Sequence, residues 1–325
     1  MQFGLEKKFE FATNVYGVRA DDPYLFLAMD TGGFRIYKFI DGVLSLDDAV
    51  ATGGMNYDNI RRAGYFFALD FTNLLGYRFN NGLVSYISNV GAAAGQRLYD
   101  DGTYLHVSRL ANGVSAYTFN GRTFTNTANQ AIPVAGATYE VDSDGTYFYI
   151  AQNTDGIYAY TFNGAAYTPV GNRDDGGAAQ GVVVDRTRGY IFLANSNDGV
   201  RAYSFNGTTF TMLGRWTCPV FTVVTFIDYD APYIYACVRD QFTGDNGRIY
   251  ILTFDGTTFT QQYTYGDANG MFGVGVINEN SFLSHGAEGM YQFKGTPNFG
   301  GGFSANVQNG SAPLSVNFTD ETTIY

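Results

Sequence analysis

Two histidines, two cysteines and thirty acidic side chains are the groups in this chain that could do chemistry. His285 stands close to Glu288. A histidine beside a carboxylate is the smallest unit that serves as a general acid–base pair or as two metal ligands. Nothing in the sequence extends it, because no Ser-His-Asp order, Gly-rich phosphate loop or HExxH segment is present. His106 lies in the apolar run Tyr104-Leu105-His106-Val107, where a packed, hydrogen-bonded imidazole is expected. Cys218 and Cys237 have neither metal-site spacing nor a CxxC pair, and they read as small buried thiols.

Aspartates recur at turns: Asp21-Asp22, Asp100-Asp101-Gly102, Asp142-Ser143-Asp144-Gly145, Asp185, and Asp228 with Asp230. The run from Asp142 to Gly145 opens like a calcium loop but lacks the remaining ligands and a closing Glu at loop position 12. Aspartate bonding its own backbone two residues on accounts for the whole series. No cofactor or metal site is therefore expected, calcium being the one ion these turns suggest.

The elements that carry these residues follow from a repeat. An aromatic or apolar residue, any residue, Phe, and then a turn ending in Gly recurs seven times, with the phenylalanines at Phe39, Phe79, Phe119, Phe162, Phe205, Phe254 and Phe293. The turns include Asp41-Gly42, Asn81-Gly82, Asn120-Gly121, Asn163-Gly164, Asn206-Gly207 and Asp255-Gly256. The fifth copy displays the internal grammar: strands over 181–185, 190–194, 200–205 and 208–213, with Asn206-Gly207 as a two-residue hairpin turn. With 26 Tyr, 28 Phe and 41 Gly but few charged residues, the composition favours strands and turns over helices.

Four antiparallel strands repeated about every 40 residues predict an all-β fold, a seven-bladed β-propeller of four-stranded blades. Tyr203 and Phe205 fall on one face of their strand and Ala202 and Ser204 on the other, which suits sheets packed between two neighbours. The propeller is expected over 1–296. The segment 3–12 supplies the outer strand of the last blade, closing the ring and removing a sheet edge. The extra residues of the sixth copy fall around 241–247, in the turn between its second and third strands.

Tyr190-Ile191-Phe192-Leu193-Ala194, Asn197-Asp198-Gly199-Val200 and Tyr203-Ser204-Phe205-Asn206-Gly207 make the blade pattern similar to the LVIVD-type and surface-layer YVTN-type propellers. WD40 Trp-Asp pairs and kelch double glycines are absent. In the stretch 297–325, Phe303-Ser304-Ala305-Asn306, Gly310-Ser311-Ala312-Pro313-Leu314 and Val316-Asn317-Phe318-Thr319-Asp320 resemble the start of a PKD domain, an immunoglobulin-like sandwich. The match stops at Tyr325, before the Trp-Asp-Phe-Gly-Asp-Gly segment of such domains. The resemblance implies an extracellular, cell-surface or virion setting.

A net charge of −11 disfavours nucleic acid as a partner. No apolar run of membrane-spanning length occurs, so no membrane insertion is expected. The face carrying the fourth-to-first and second-to-third connections is the expected ligand face. The candidates assigned to it are Arg61, Arg173, Asp174, Arg215, Trp216, Arg239 and His285. No catalytic residue is assigned.

The reading is a non-enzymatic recognition or structural module of a larger protein, binding protein or glycan. Two alternatives stay open: a lactonase-like hydrolase or lyase with its site at the central channel, and a filament or shell subunit that binds copies of itself. An enzyme should gather acidic or imidazole groups with perturbed titration about the axis. A binding module should show an aromatic-rich patch instead.

Overall fold

The computed structural model describes residues 4–130, 137–243, 247–266, 271–277, 280–285, 289–294, 303–305 and 318–320. Within these residues the chain forms seven four-stranded antiparallel sheets and no helix. The innermost strands are Val15–Asp21, Asn56–Arg62, Arg97–Asp100, Glu140–Ser143, Gly181–Asp185, Thr222–Asp230 and Met271–Ile277. Each touches the innermost strands of both neighbouring blades, and the seventh touches the first, so the sheets form a closed ring. Gly4–Phe9 pairs antiparallel with Gly289–Lys294 as the outer strand of the seventh blade. Beyond the ring, Phe303–Ala305 pairs with Phe318–Asp320. The rest of the segment resembling a PKD domain lies outside the described residues.

Burial explains why the ring forms. Seven apolar clusters occupy the seven junctions, each built from two adjacent blades. In the first five blades the tyrosine at, or one residue before, the start of the second strand meets, edge to face, the repeat phenylalanine of the next blade. Tyr24–Phe79, Tyr65–Phe119, Tyr104–Phe162, Tyr147–Phe205 and Tyr190–Phe254 have centroid separations of 5.0, 5.2, 5.1, 5.1 and 5.3 Å. At the closing junction the edge-to-face partner of Phe39 is Phe282, two residues further along its second strand, at 5.2 Å. Such pairs add about 0.5–1.5 kcal/mol each beyond the area they bury.

The turns differ from the sequence-based expectation. In the first two blades the outer hairpins have two-residue loops, Asp41-Gly42 and Asn81-Gly82, with positive φ at both positions. In the third to sixth blades the loops have four residues, and the fourth strand of the fifth blade is Phe210–Trp216 rather than 208–213. The cause is the Asn or Asp that opens each turn. Asn206 Oδ1 accepts from the amides of Thr208 and Thr209 at 3.0 and 2.8 Å, so the side chain takes over a turn that a strand bond would otherwise close. The glycine that follows has a second duty. A Cβ at Gly121, Gly164, Gly207 or Gly256 would come within 2.5, 2.6, 2.9 or 2.8 Å of the neighbouring blade's tyrosine hydroxyl.

A register shift recurs between the third and fourth strands of the first six blades. A bulge at this point twists the outer strand and blunts the sheet edge. Gly214 lies at that bulge, where a Cβ would approach the Thr257 carbonyl oxygen at 2.5 Å and the Phe254 ring at 2.9 Å. Gly214→Ala is expected to cost about 1–3 kcal/mol in denaturant unfolding. Gly64→Ala, facing open space, should stay within about 0.5 kcal/mol. Equal effects would show that the junction tolerates expansion. Deleting residues 1–12 should abolish cooperative unfolding of the ring, and a truncated chain as stable as the full one would refute closure by the first strand.

Candidate functional site

The innermost strands converge on the axis, and their registers stack two levels of residues there. Nearer the end where these strands begin stand Gly17, Asp58, Arg97, Glu140, Gly181, Phe226 and Gly273. Two residues further along stand Arg19, Ile60, Tyr99, Asp142, Val183, Asp228 and Gly275. Charged groups therefore occupy positions where other blades carry Gly, Val or Ile.

Most of these charges join one blade to the next. Arg19 donates to Asp58 through Nε at 2.8 Å and Nη2 at 2.7 Å, and to the Leu98 carbonyl oxygen at 2.8 Å. Asp58 also accepts from the Leu98 amide at 2.8 Å. Glu140 accepts from the Val182 amide at 3.1 Å, and Asp142 from the Val184 amide at 2.8 Å. Arg186 pairs with Asp142. Among the described residues, Asp228 accepts from its own neighbour alone, the Tyr229 amide, at 2.8 Å. A cavity of about 240 Å3 opens among Arg19, Tyr99, Glu140, Asp142, Arg186 and Asp228.

Burial dominates the titration here. It pushes the Glu140 carboxyl up to about 8 and that of Asp228 up to about 6, with Arg97 and Arg19 only partly opposing it. Burial also raises Asp142 against the pull of Arg186. Burial alone would raise Asp58 as well, but the Arg19 guanidinium holds it below the usual carboxylate range.

At the end where the inner strands begin, the channel widens into a recess of about 210 Å3. It is lined by Tyr16, Tyr57, Gln96, Arg97, Tyr139, Gln180, Thr225, Phe226 and Arg239. Tyr16 and Tyr57 stack at 5.5 Å and 8°, and Phe71 lies 5.9 Å from Tyr57. The Arg97 guanidinium covers the Phe226 ring at 5.0 Å and donates to the carbonyl oxygens of Tyr57 and Gln96, both at 3.2 Å. On the same face, Phe221 and Phe242 are 64% and 73% exposed and lie 5.9 Å apart. They sit in the fifth-to-sixth blade connection and in the extended loop of the sixth blade.

The residues singled out from the sequence do not gather into one site. Arg239 lines the mouth. Arg61 corrects the expected face: with Arg62 it ends its inner strand beside the first-to-second turn, at the opposite end of the channel, where it pairs with Asp21. The inner strand runs through the blade before reaching these residues, so they emerge on the far face. Arg173 binds Asp175 at 2.6 Å, Asp174 caps the Gly176 amide at 2.8 Å, and Arg215 binds Asp198 at 2.7 Å. Trp216 is half-buried and packs 4.8 Å from Tyr250 as a wedge between the fifth and sixth blades. His285 ends a second strand, and its side chain and Glu288 lie outside the described residues. His106 is fully buried, 2.5 Å from the Tyr167 hydroxyl and 3.0 Å from Asp101. Asp144 caps the amides of Thr146 and Tyr147 at 2.8 and 2.7 Å. Cys218 and Cys237 are free and buried. Among the described residues no group of three His, Cys, Asp or Glu is arranged to hold a metal ion, and no helix is long and apolar enough to cross a membrane.

No family matches the sequence, and no curated protein is similar to it. Solved structures match in fold. The β-propeller domain of Cps50 (Swd1) from Myceliophteria thermophila gives a TM-score of 0.71 at 6% identity, over 90% of this chain and 99% of that one. The computationally designed Ika8 protein gives 0.64 at 8%, over 90% and 100%. A candidate 6-phosphogluconolactonase from Bacteroides uniformis gives 0.64 at 13%, over 81% and 89%. At these identities the likeness is one of architecture alone.

The raised carboxyls set a pH dependence. Unfolded carboxylates ionise near pH 4, whereas Glu140 and Asp228 hold their protons to about 8 and 6 in the folded chain. Between those values the folded state binds more protons, so stability from these groups falls as pH rises from about 4 to 8. Asp58, being depressed, acts in the opposite sense only below that window. Glu140→Gln is expected to flatten the decline between pH 6 and 8 in melting experiments. An unchanged slope would remove Glu140 as its source.

Proposed function

We propose that this propeller is a non-enzymatic recognition module that takes its ligand, a protein or a glycan, at the mouth where the inner strands begin. The carrying observation is the chemistry of that mouth: stacked Tyr16 and Tyr57, Phe226, Arg97 and Arg239 around a recess, beside exposed Phe221 and Phe242. Aromatic and arginine side chains dominate binding hot spots because they combine large apolar area with directed hydrogen bonds. The resemblance to surface-layer propellers and PKD segments supports placing the module in a larger extracellular, cell-surface or virion protein.

A second reading has one observation behind it. Glu140 and Asp228 face the channel with raised titration, the signature expected of a hydrolase with acid and base on the axis. The fold likeness to a candidate lactonase is compatible with it. Against it, Asp58, Glu140 and Asp142 each accept a backbone amide of the next blade, which gives them a structural task.

Glycan and protein arrays probed with the native chain and with Tyr57→Ala and Phe242→Ser separate the readings. Ligand capture that falls at least tenfold in either variant supports recognition at the mouth. Capture indifferent to both, or turnover of a sugar lactone abolished by Glu140→Gln or Asp228→Asn, would overturn it.

A further inference from the structure

The recess at the mouth has an uncommon charge. The protein carries 30 acidic against 19 basic side chains, yet no carboxylate lines this recess, and two guanidiniums do. Nearly every other inward-facing arginine of the ring is matched with an acid: Arg19 with Asp58, Arg61 with Asp21, Arg62 with Asp100 and Arg186 with Asp142. Arg97 instead donates to two carbonyl oxygens and rests on Phe226. The Arg239 side chain reaches the recess with no acid against it among the described residues. The two acids on Arg97's own level are turned to other partners: Asp58 to the Arg19 fork and the Leu98 amide, Glu140 to the Val182 amide. An anion entering here would therefore meet two guanidiniums in the recess wall and no carboxylate among the lining residues, the nearest acids lying deeper in the channel.

We propose that the ligand of this mouth is an acidic saccharide whose uronic-type carboxylate is held by Arg239 and Arg97. This assignment rests on the recognition reading above and specifies its ligand. A planar guanidinium matches a carboxylate through two parallel hydrogen bonds, which a point charge does not. The stacked rings of Tyr16 and Tyr57 supply flat apolar surface for the C–H face of a sugar ring. Gln96 and Gln180 offer amides that both donate and accept, as ring hydroxyls require. At about 210 Å3 the recess lies below the roughly 300–1,000 Å3 of a drug-sized pocket, which suits a single ring of a chain rather than a bulky ligand. A saccharide is favoured over an acidic peptide because the polar groups here converge into a concave recess, whereas peptide strands recognise an exposed sheet edge or a groove.

The test uses the whole chain and three probes: a galacturonic acid tetramer, its methyl ester, and a Glu-rich octapeptide, each titrated by calorimetry. The acid tetramer is expected to bind at least tenfold more tightly than the ester, and to weaken with added salt. Arg239→Gln should remove about tenfold or more of that preference, and Arg239→Lys should not restore it. The Arg239 side chain donates no hydrogen bond to the described residues, so the variant should keep the native melting temperature. Equal binding of acid and ester, lost in Tyr57→Ala, would overturn the anionic assignment while keeping recognition at the mouth. Tighter binding of the octapeptide would overturn the saccharide. Saccharide binding that survives Tyr57→Ala undiminished would sink the recognition reading itself, and no binding of the acid tetramer at millimolar concentration would sink this assignment.

Discussion

Each four-stranded sheet in this ring is apolar on both faces, so no blade can be stable without one neighbour on either side. The edge-to-face contact between a tyrosine and the next blade's phenylalanine is the unit of that cover, repeated at almost constant separation from Tyr24–Phe79 to Tyr190–Phe254. A linear stack of such sheets would leave two bare faces. A ring leaves none, and the first and seventh blades meet through Phe39 and Phe282 in the same geometry. The closure of the chain into a ring is thus a consequence of one packing requirement.

Radial packing has an electrostatic consequence. Strands that converge on an axis bring side chains together from every blade, and there the ring departs from its own repeat. Asp58, Glu140 and Asp142 each reach across a junction to a backbone amide on the next inner strand. Arg19 completes one such crossing as a fork. Buried ionic groups of this kind add little net stability but disfavour alternative registers. The three glycines at the first level, Gly17, Gly181 and Gly273, leave room for the larger side chains of the other blades.

The architecture was readable because its determinants repeat. Seven phenylalanines preceding turn glycines mark the blades, and the alternation of Tyr203 and Phe205 with Ala202 and Ser204 marks sheets covered on both sides. Loop lengths were less readable, since Asn206-Gly207 suits both a two-residue turn and a longer one capped by the asparagine side chain. The channel was nearly invisible, for the opposite reason to the blades: Arg97 and Glu140 stand at a position whose residue varies from copy to copy, whereas the mouth tyrosines Tyr16, Tyr57 and Tyr139 share one position of the repeat, just before that level. Aligning the inner strands and noting charge where other blades have Gly or Val would have exposed Arg19, Asp58 and Asp228. Arg239 is legible because it lies near the end of a second strand beside a lengthened loop, while the face of Arg61 depends on its place at the far end of an inner strand that runs through the blade.

The strand that completes the seventh blade also decides how the ring responds to mechanical load. Gly4 lies opposite Lys294, and Phe9 opposite Met290. The chain therefore enters and leaves the blade at the same end of one antiparallel ladder. Tension drawn between these two points loads the backbone hydrogen bonds one after another, as in opening a zipper, rather than all together in shear. Such tension would peel this strand away first and uncover the sheet edge beneath it.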